Sequence, residues 1–278
     1  MSMAGALNPD WLVPQWPVPA GIKAVFTTRA GGVSTVPFDT MNLARHVGDA
    51  PEAVTANRDA LQHAVSTSRL KFLNQVHGTG VARLGPNSPD GQSADACLTS
   101  CPELPCIVMV ADCLPVLLAA QDGTAVAAAH AGWRGLAGGQ DGSGKGILES
   151  LYKNFGALVQ AGRAQRAIKI VAWLGPCIGP SAFEVGEEVK TAFGAADPES
   201  AHLFVPARPG KYLADLAGLA RQRLQALGIT QIYGNDGSAS WCTVGNPSRF
   251  FSHRRDTGVA SNGFGTTGRM AACIWIDG

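Results

Sequence analysis

The sequence predicts an α+β fold, mixed β-sheets with flanking helices, rather than the regular strand–helix alternation of a doubly wound parallel sheet. Three observations carry that expectation. Short apolar runs with β-branched residues crowd into the first half of the chain, and the helical stretches do not alternate with them. An Asp-Gly turn joins two of those runs, which signals antiparallel pairing. With 278 residues, 46% of them hydrophobic and 15% charged, the chain has material for one large core. Neither an internal repeat nor a long linker divides it, so one unit over 1–278 is expected, with residues 1–20 as an N-terminal extension.

In chain order, GIKAVFTT (21–28) reads as a strand, and the Gly, Ser and Pro content of RAGGVSTVPFD makes a loop. A helix follows from Pro51 to about Thr67: Pro suits the first helical position, and Val54, Leu61 and Val65 recur at helical spacing. Arg58 falls within it. β-rich segments are expected at 70–76, 80–84, 106–111, 114–119 and 124–130. A helix over 147–162 precedes AIKIVAWL (167–174), a buried strand by its apolar density. Helices near 184–194 and 211–226 and strands at 229–233 and 270–276 complete the order.

Charge excludes some functions. Twenty-two basic residues against twenty-one acidic give +1, with no dense basic run, so a nucleic-acid footprint is missing. Asp112 and Pro115 interrupt the apolar run CIVMVADCLPVLLAA (106–120), which argues against a membrane span. The N-terminus lacks the basic-then-apolar order of a secretory signal, so the cytoplasm is the expected compartment. Seven cysteines in a chain of this length point to reduced thiols, some of them metal-bound or catalytic, rather than a disulfide framework.

The most informative stretch is ADCLPVLLAAQDGTAVAAAHAGWRG (111–135). A four-residue loop from Ala120 to Gly123 sets Cys113 opposite His130, and directly opposed residues hold their Cβ atoms roughly 4.5–5.5 Å apart. Such a pair can share a metal ion, form a hydrogen-bonded dyad, or simply be a buried thiol and a satisfied core histidine. FLNQVHGTGV adds His77 at the end of another expected strand, beside Gly78. Together His77, Cys113 and His130 make a three-ligand set with one open position, the arrangement of a catalytic zinc. Imidazole and thiolate suit Zn²⁺, with copper as the alternative.

GGQDGSGKGI (138–147) fits G-x-x-x-x-G-K from Gly139, but Gly146 stands where a P-loop needs a hydroxyl. The string also starts eight residues after the strand ending at His130. It reads instead as a Gly-rich loop beside the metal site.

FTTRAGGVS (26–34), NQVHG (74–78), ADCLP (111–115), HAGWRG (130–135), GPCIG with FEV after it (175–185), and FFSHRRD followed by TGRMA (250–271) occur in this order. In these strings the sequence resembles the YfiH family of multi-copper-polyphenol-oxidase-like proteins. The resemblance implies an α+β fold related to Cys–His hydrolases, with His77, Cys113 and His130 as zinc ligands and Cys113 and His130 at the catalytic centre. It implies a purine nucleoside phosphorylase acting on adenosine, inosine and 5'-methylthioadenosine, with adenosine deaminase activity. Its partners would be purine nucleosides and phosphate. Other descriptions of the family imply a copper phenol oxidase, or an amide hydrolase that edits cell-wall precursors.

Arg58 matches the family's Asn-Arg pair and is the first candidate for phosphate, because guanidinium binds phosphate oxygens bidentately. Arg29 and Arg134 are further candidates, and Asn42 and Glu184 are expected to line the pocket or brace its loops. Two Gly-rich insertions depart from the family pattern, at about 138–146 and 257–267. Cys177 is expected to be buried, Asp112 to orient the loop before Cys113, and Arg254, Arg255 and Asp256 to form an ion-pair network.

Overall fold

The computed structural model of the chain describes residues 6–65, 68–138, 144–161, 169–257 and 265–278. A six-stranded mixed sheet is its centre. It is built from β2 (Val81–Arg83), β3 (Ala96–Thr99), β5 (Leu114–Ala120), β6 (Val126–Ala131), β7 (Ile170–Leu174) and β11 (Gln231–Gly234), in the order β11-β7-β5-β6-β3-β2. Only β11–β7 and β2–β3 are parallel pairs. A three-stranded antiparallel sheet, β1 (Ile22–Phe26), β12 (Met270–Ile276) and β4 (Cys106–Val110), packs against it. A third small sheet holds β8 (Glu184–Gly186), β10 (Lys211–Ala214) and β9 (Phe204–Pro206).

The alternation of side chains sorts the core into layers. Leu98, Leu114, Val116, Leu118 and Ala129 on one face of the large sheet pack under α3 (Ile147–Gln160), α4 (Glu187–Ala196) and α5 (Leu216–Ala226). Cys97, Leu117, Ala119 and Ala128 on the other face meet Phe26, Val108 and Ile274 of the smaller sheet. That sheet is buried on its second face too, where Val25, Ile107, Met109 and Cys273 cover Leu61 and Val65 of α1 (Pro51–Val65). Strands such as β4, with apolar neighbours on both sides, therefore read as unbroken hydrophobic runs.

Two short helices matter for the site: α2 (Trp133–Ala137) directly after β6, and α6 (His253–Asp256). Arg223 of α5 ties α2 to α3, donating to Ala137 O at 2.8 Å and pairing with Glu149 at 2.8 Å.

Several expectations need correction. Residues 70–76 form no strand, only one bridge between Asn74 and Ser93, because the Asp90 carboxylate takes the Phe72 N–H and the chain then turns at His77 (φ 59°). The stretch 211–226 is split into β10 and α5 by Asp215, whose carboxylate caps the helix at Gly218 N–H. The segment near 184 begins as β8 before α4 takes over. Strands are spread through the whole chain rather than gathered in its first half, and β3, β8, β9 and β10 were not foreseen.

The hairpin register also differs. Its loop runs from Gln121 to Thr124, one residue later than expected, so Pro115 rather than Cys113 pairs with His130. The shift is two positions, which preserves the face, and Cys113 remains a diagonal neighbour of His130. Of the Gly-rich insertions, 139–143 and 258–264 lie outside the described residues. The described flanks Gly138 and Gly144 lie against the Lys145 backbone and Ala196, and neither borders the site. Between β6 and α3 stands α2, so the strand does not run through a loop straight into a helix as a P-loop does. No helix among the described residues is long and apolar enough to cross a membrane.

Candidate metal centre

The start of β5, the end of β6 and the start of β3 share one pole of the large sheet, since these strands are antiparallel neighbours. Cys113 stands at the end of the short connection that carries the chain from β4 in one sheet to β5 in the other. Its predecessor Asp112 takes a positive φ of 85° to make that turn. The Asp112 carboxylate accepts from Thr243 Oγ1 at 2.5 Å and from Arg254 N–H at 2.6 Å, which braces the turn against the chain around α6.

His130 meets Asp95 across the β3–β6 ladder: its backbone N–H donates to Asp95 O at 2.7 Å, and its Nδ1 donates to Asp95 Oδ1 at 2.8 Å. Asp95 is fully buried and also accepts from the backbone N–H groups of Val76 at 3.2 Å, His77 at 2.9 Å and Gly78 at 2.7 Å. One carboxylate thus fixes the tautomer of one histidine and the backbone that presents another. Burial opposes ionisation of Asp95, but the His130 hydrogen bond and those from Gly78 and His77 outweigh it and lower its pKa.

The structure brings His77, Cys113 and His130 together, with one ligand atom of each lying within 4.8 Å of the others. Cys113 Sγ is 3.8 Å from His77 Nε2, and the two imidazoles meet edge-on with centroids 4.7 Å apart. Removal from water disfavours the Cys113 thiolate, yet the adjacent His130 and His77 bring its pKa down to about 6. Burial likewise opposes charge on His130, and Cys113 with Asp95 raises its pKa to about 9. With Nδ1 of His130 held by Asp95, Nε2 is the ring nitrogen left to face Cys113. Two such imidazoles and a readily ionised thiol are the donor set of zinc or copper with a fourth position open.

Glycines make the crowding feasible. A Cβ on Gly132 would stand 2.9 Å from Cys113 Sγ and 3.1 Å from His77 Cδ2, and one on Gly135 would stand 2.7 Å from Gly78 O. The HAGWRG string therefore reads as close packing of the β6–α2 junction against the segments that carry Cys113 and His77.

Cys113, His130 and His77 border a cavity of about 190 Å³, shared with His46, His253 and Arg269. Sequence reasoning missed Asp95, His46, His253 and Arg269. The available signals were an acid just before the apolar run ACL and an arginine in the quoted TGRMA string.

The three anion candidates, Arg58, Arg29 and Arg134, and the pocket candidate Asn42 are absent from the lining of this cavity. Arg58 donates to Leu43 O at 2.8 Å and lays its guanidinium 3.7 Å from the Phe72 ring centroid. Burial, reinforced by Arg45, lowers its pKa to about 10 despite Asp90. Arg29 pairs with Asp39 at 3.0 Å and donates to Pro247 O at 2.8 Å. Arg134 stacks on Trp133, 4.5 Å from the ring centroid. Buried Asn42 donates to Ala44 O and Asp49 and accepts from the Arg269 N–H at 2.9 Å. None of the four borders the cavity.

Glu184 pairs with Arg208, also away from the cavity. Cys177 is buried, and Arg255 pairs with Asp256 at 2.6 Å.

Comparison with known proteins places this geometry. A family profile described as multi-copper polyphenol oxidoreductase laccase matches residues 23–277. The chain is 43% identical over 267 residues to a protein of Pseudomonas aeruginosa named purine nucleoside phosphorylase, covering 96% of this chain and 98% of that one. It is 45% identical over 266 residues to purine nucleoside phosphorylase YfiH of Escherichia coli, covering 95% and 98%. Among solved structures, YlmD from Geobacillus stearothermophilus superposes with a TM-score of 0.83 at 29% identity, covering 100% of both chains. Protein NMB0706 of Neisseria meningitidis gives 0.80 at 42%, covering 97% of this chain and 100% of that one. With relatives of this identity matched over nearly their whole length, the chain belongs to the multi-copper polyphenol oxidoreductase laccase family, with the YfiH proteins.

Proposed function

We propose that this protein is a zinc-dependent purine nucleoside phosphorylase whose metal is held by His77, Cys113 and His130. The observation that carries the proposal is the convergence of these three donors on one cavity, in a chain whose near-full-length relatives bear that name. When bound there, zinc supplies a Lewis acid at the cavity wall. The chain supplies the rest: Asp95 holds the His130 ring, the Asp112 turn aims Cys113, and Leu73, Met109 and Val110 offer an apolar surface to the nucleoside.

In phosphorolysis a phosphate oxygen bonds to ribose C1′ as the C1′–N9 bond breaks. The bonding pair leaves with the purine, which takes up a proton. Adenosine, inosine and 5'-methylthioadenosine are the substrates, and adenosine deamination, in which water displaces ammonia at carbon six, shares the pocket. The protein works in the cytoplasm.

Chromatography of inosine incubated with the protein tests the reading. Hypoxanthine appears only when phosphate is present, together with ribose 1-phosphate, and Cys113→Ala abolishes both. Hypoxanthine release without phosphate, or no turnover at all, defeats it.

The family description names several coppers, whereas the described residues contain one three-donor cluster. A single mononuclear centre ranks copper oxidation below phosphorolysis. A second reading has a specific observation behind it: Cys113, His130 and Asp95 also stand in the order nucleophile, base and orienting carboxylate. An amide hydrolase of this kind accumulates a thioester on Cys113, which mass spectrometry after rapid quenching detects.

A further inference from the structure

We propose that Arg269 is the anion anchor of the cavity and that inorganic phosphate binds between its guanidinium and the His77–Cys113–His130 cluster, with His46 at the rim. The identity of the anion rests on the phosphorylase reading; its place rests on the cavity lining and on the hydrogen bonds of Arg269.

Arg269 is the one Lys or Arg among the described residues that border the cavity, and no Asp or Glu borders it. Its Nη1 donates to Thr267 O at 2.8 Å and to Gly268 O at 3.2 Å. Among the described residues neither Nε nor Nη2 makes a hydrogen bond, and no carboxylate forms an ion pair with it. A guanidinium carries five donors in a rigid fork, so part of that fork is left for an acceptor. A partly desolvated cation with unmet donors is costly unless paired, and an oxyanion with several acceptor oxygens completes it.

The chain holds this side chain in place from its backbone. Asn42 Oδ1 accepts the Arg269 N–H at 2.9 Å, and Leu43 N–H donates to Arg269 O at 3.2 Å. Asn42 is itself fixed by Asp49 at 2.9 Å, and Arg58 holds Leu43 O. Asn42 and Arg58 are therefore positioning residues for the arginine and for the loop that carries His46. Arg269 lines the same cavity as His46, His253 and Cys113, close enough to interact with each, and Arg58 also reaches His46. The other candidate cations are absent from the cavity lining: Arg29 pairs with Asp39, Arg134 stacks over Trp133, and Arg58 donates to Leu43 O.

The test is a titration of inorganic phosphate, followed by ³¹P NMR, into zinc-loaded wild type, Arg269→Gln, Arg269→Lys, Arg58→Gln and Arg134→Gln, with zinc content and circular dichroism measured on each. Loss of a charge-assisted contact of this kind weakens phosphate about tenfold to a hundredfold in Arg269→Gln. The KM for phosphate rises in parallel, while the KM for inosine stays within about threefold. Arg269→Lys, which keeps the charge but not the fork, falls between wild type and Arg269→Gln and serves alone if the glutamine variant does not fold. Arg134→Gln binds as wild type does.

Phosphate affinity unchanged in the Arg269 variants overturns the assignment, as does an Arg58→Gln variant that loses more than Arg269→Gln. Wild type that binds phosphate through Arg269 but releases no hypoxanthine upholds the anion subsite and defeats the phosphorylase reading. Phosphorolysis indifferent to Arg269 does the reverse.

Discussion

Asp95 braces two of the three donors, His77 and His130, without belonging to the donor set itself. It is 0% exposed, accepts three backbone N–H groups from the His77 loop, and holds the His130 ring. Asparagine keeps the shape but offers an N–H₂ where an acceptor is needed, which favours the wrong His130 tautomer. Asp95→Asn should lower zinc affinity about tenfold to a hundredfold in a competition with a chromophoric chelator, the usual cost of losing an outer partner of a metal histidine. Undiminished affinity would show that the carboxylate does not set the ring.

Cys113 supplies a second test at this scale. Its pKa in the metal-free protein is about 6, from burial that opposes ionisation and two histidines that more than offset it. The thiolate is present above that value and lost below it, so iodoacetamide labelling of chelator-treated protein should be half-maximal near pH 6. Zinc should suppress the labelling. A labelling midpoint near the ordinary thiol range would contradict the coupling.

Cys113 and His130 were legible in the sequence because they flank an Asp-Gly hairpin among small residues, and His77 because it precedes Gly78, although the strand expected before it is a loop. Asp95 was not. It is one of 21 acids, and only the unforeseen strand β3 sets it across from His130. Arg269 was hidden for a similar reason, since its partners Asn42 and Leu43 come from a loop more than 220 residues away in the chain.

At the scale of elements, the β5–β6 hairpin and the α2 junction assemble the site. The expected loop was one residue early, which moved the pairing by two positions and left the face intact, so Cys113 and His130 converge despite the wrong partner. The Asp-Gly turn announces a hairpin but does not fix which residues flank it. Lys211–Ala226 shows the complementary limit. Its apolar spacing suits a helix throughout, yet residues 211–214 pair with two neighbouring strands, contacts that no local pattern reveals.

Gly132 is the point where the junction presses on the donor cluster itself, since a methyl group there would stand 2.9 Å from Cys113 Sγ. Gly132→Ala should therefore reduce zinc occupancy, read by metal analysis of the purified protein, with a stability loss of about 1–3 kcal/mol from overpacking. Full occupancy with unchanged stability would mean that the junction relaxes freely.

The whole molecule explains why the centre lies where it does. Two sheets share a core, and the short connection from β4 to β5 crosses from one to the other at the pole where β3 begins and β6 ends. Closing the sandwich therefore delivers Cys113 to His130 and Asp95, while the loop at 74–78 brings His77 over the edge. The mixed α+β architecture was readable from the irregular order of helices and strands; the division into two stacked sheets was not, because strands buried on both faces show no alternation to say which sheet they join.

The central claim is that the His77–Cys113–His130 centre and phosphorolysis are one function. The most direct measurement is the rate of hypoxanthine release from inosine and phosphate as zinc is stripped with a chelator and then restored in known amounts. The rate should fall with zinc content, reach zero in the metal-free protein, and return in proportion up to one zinc per chain. Full phosphorolysis by protein shown to contain no metal would contradict the account.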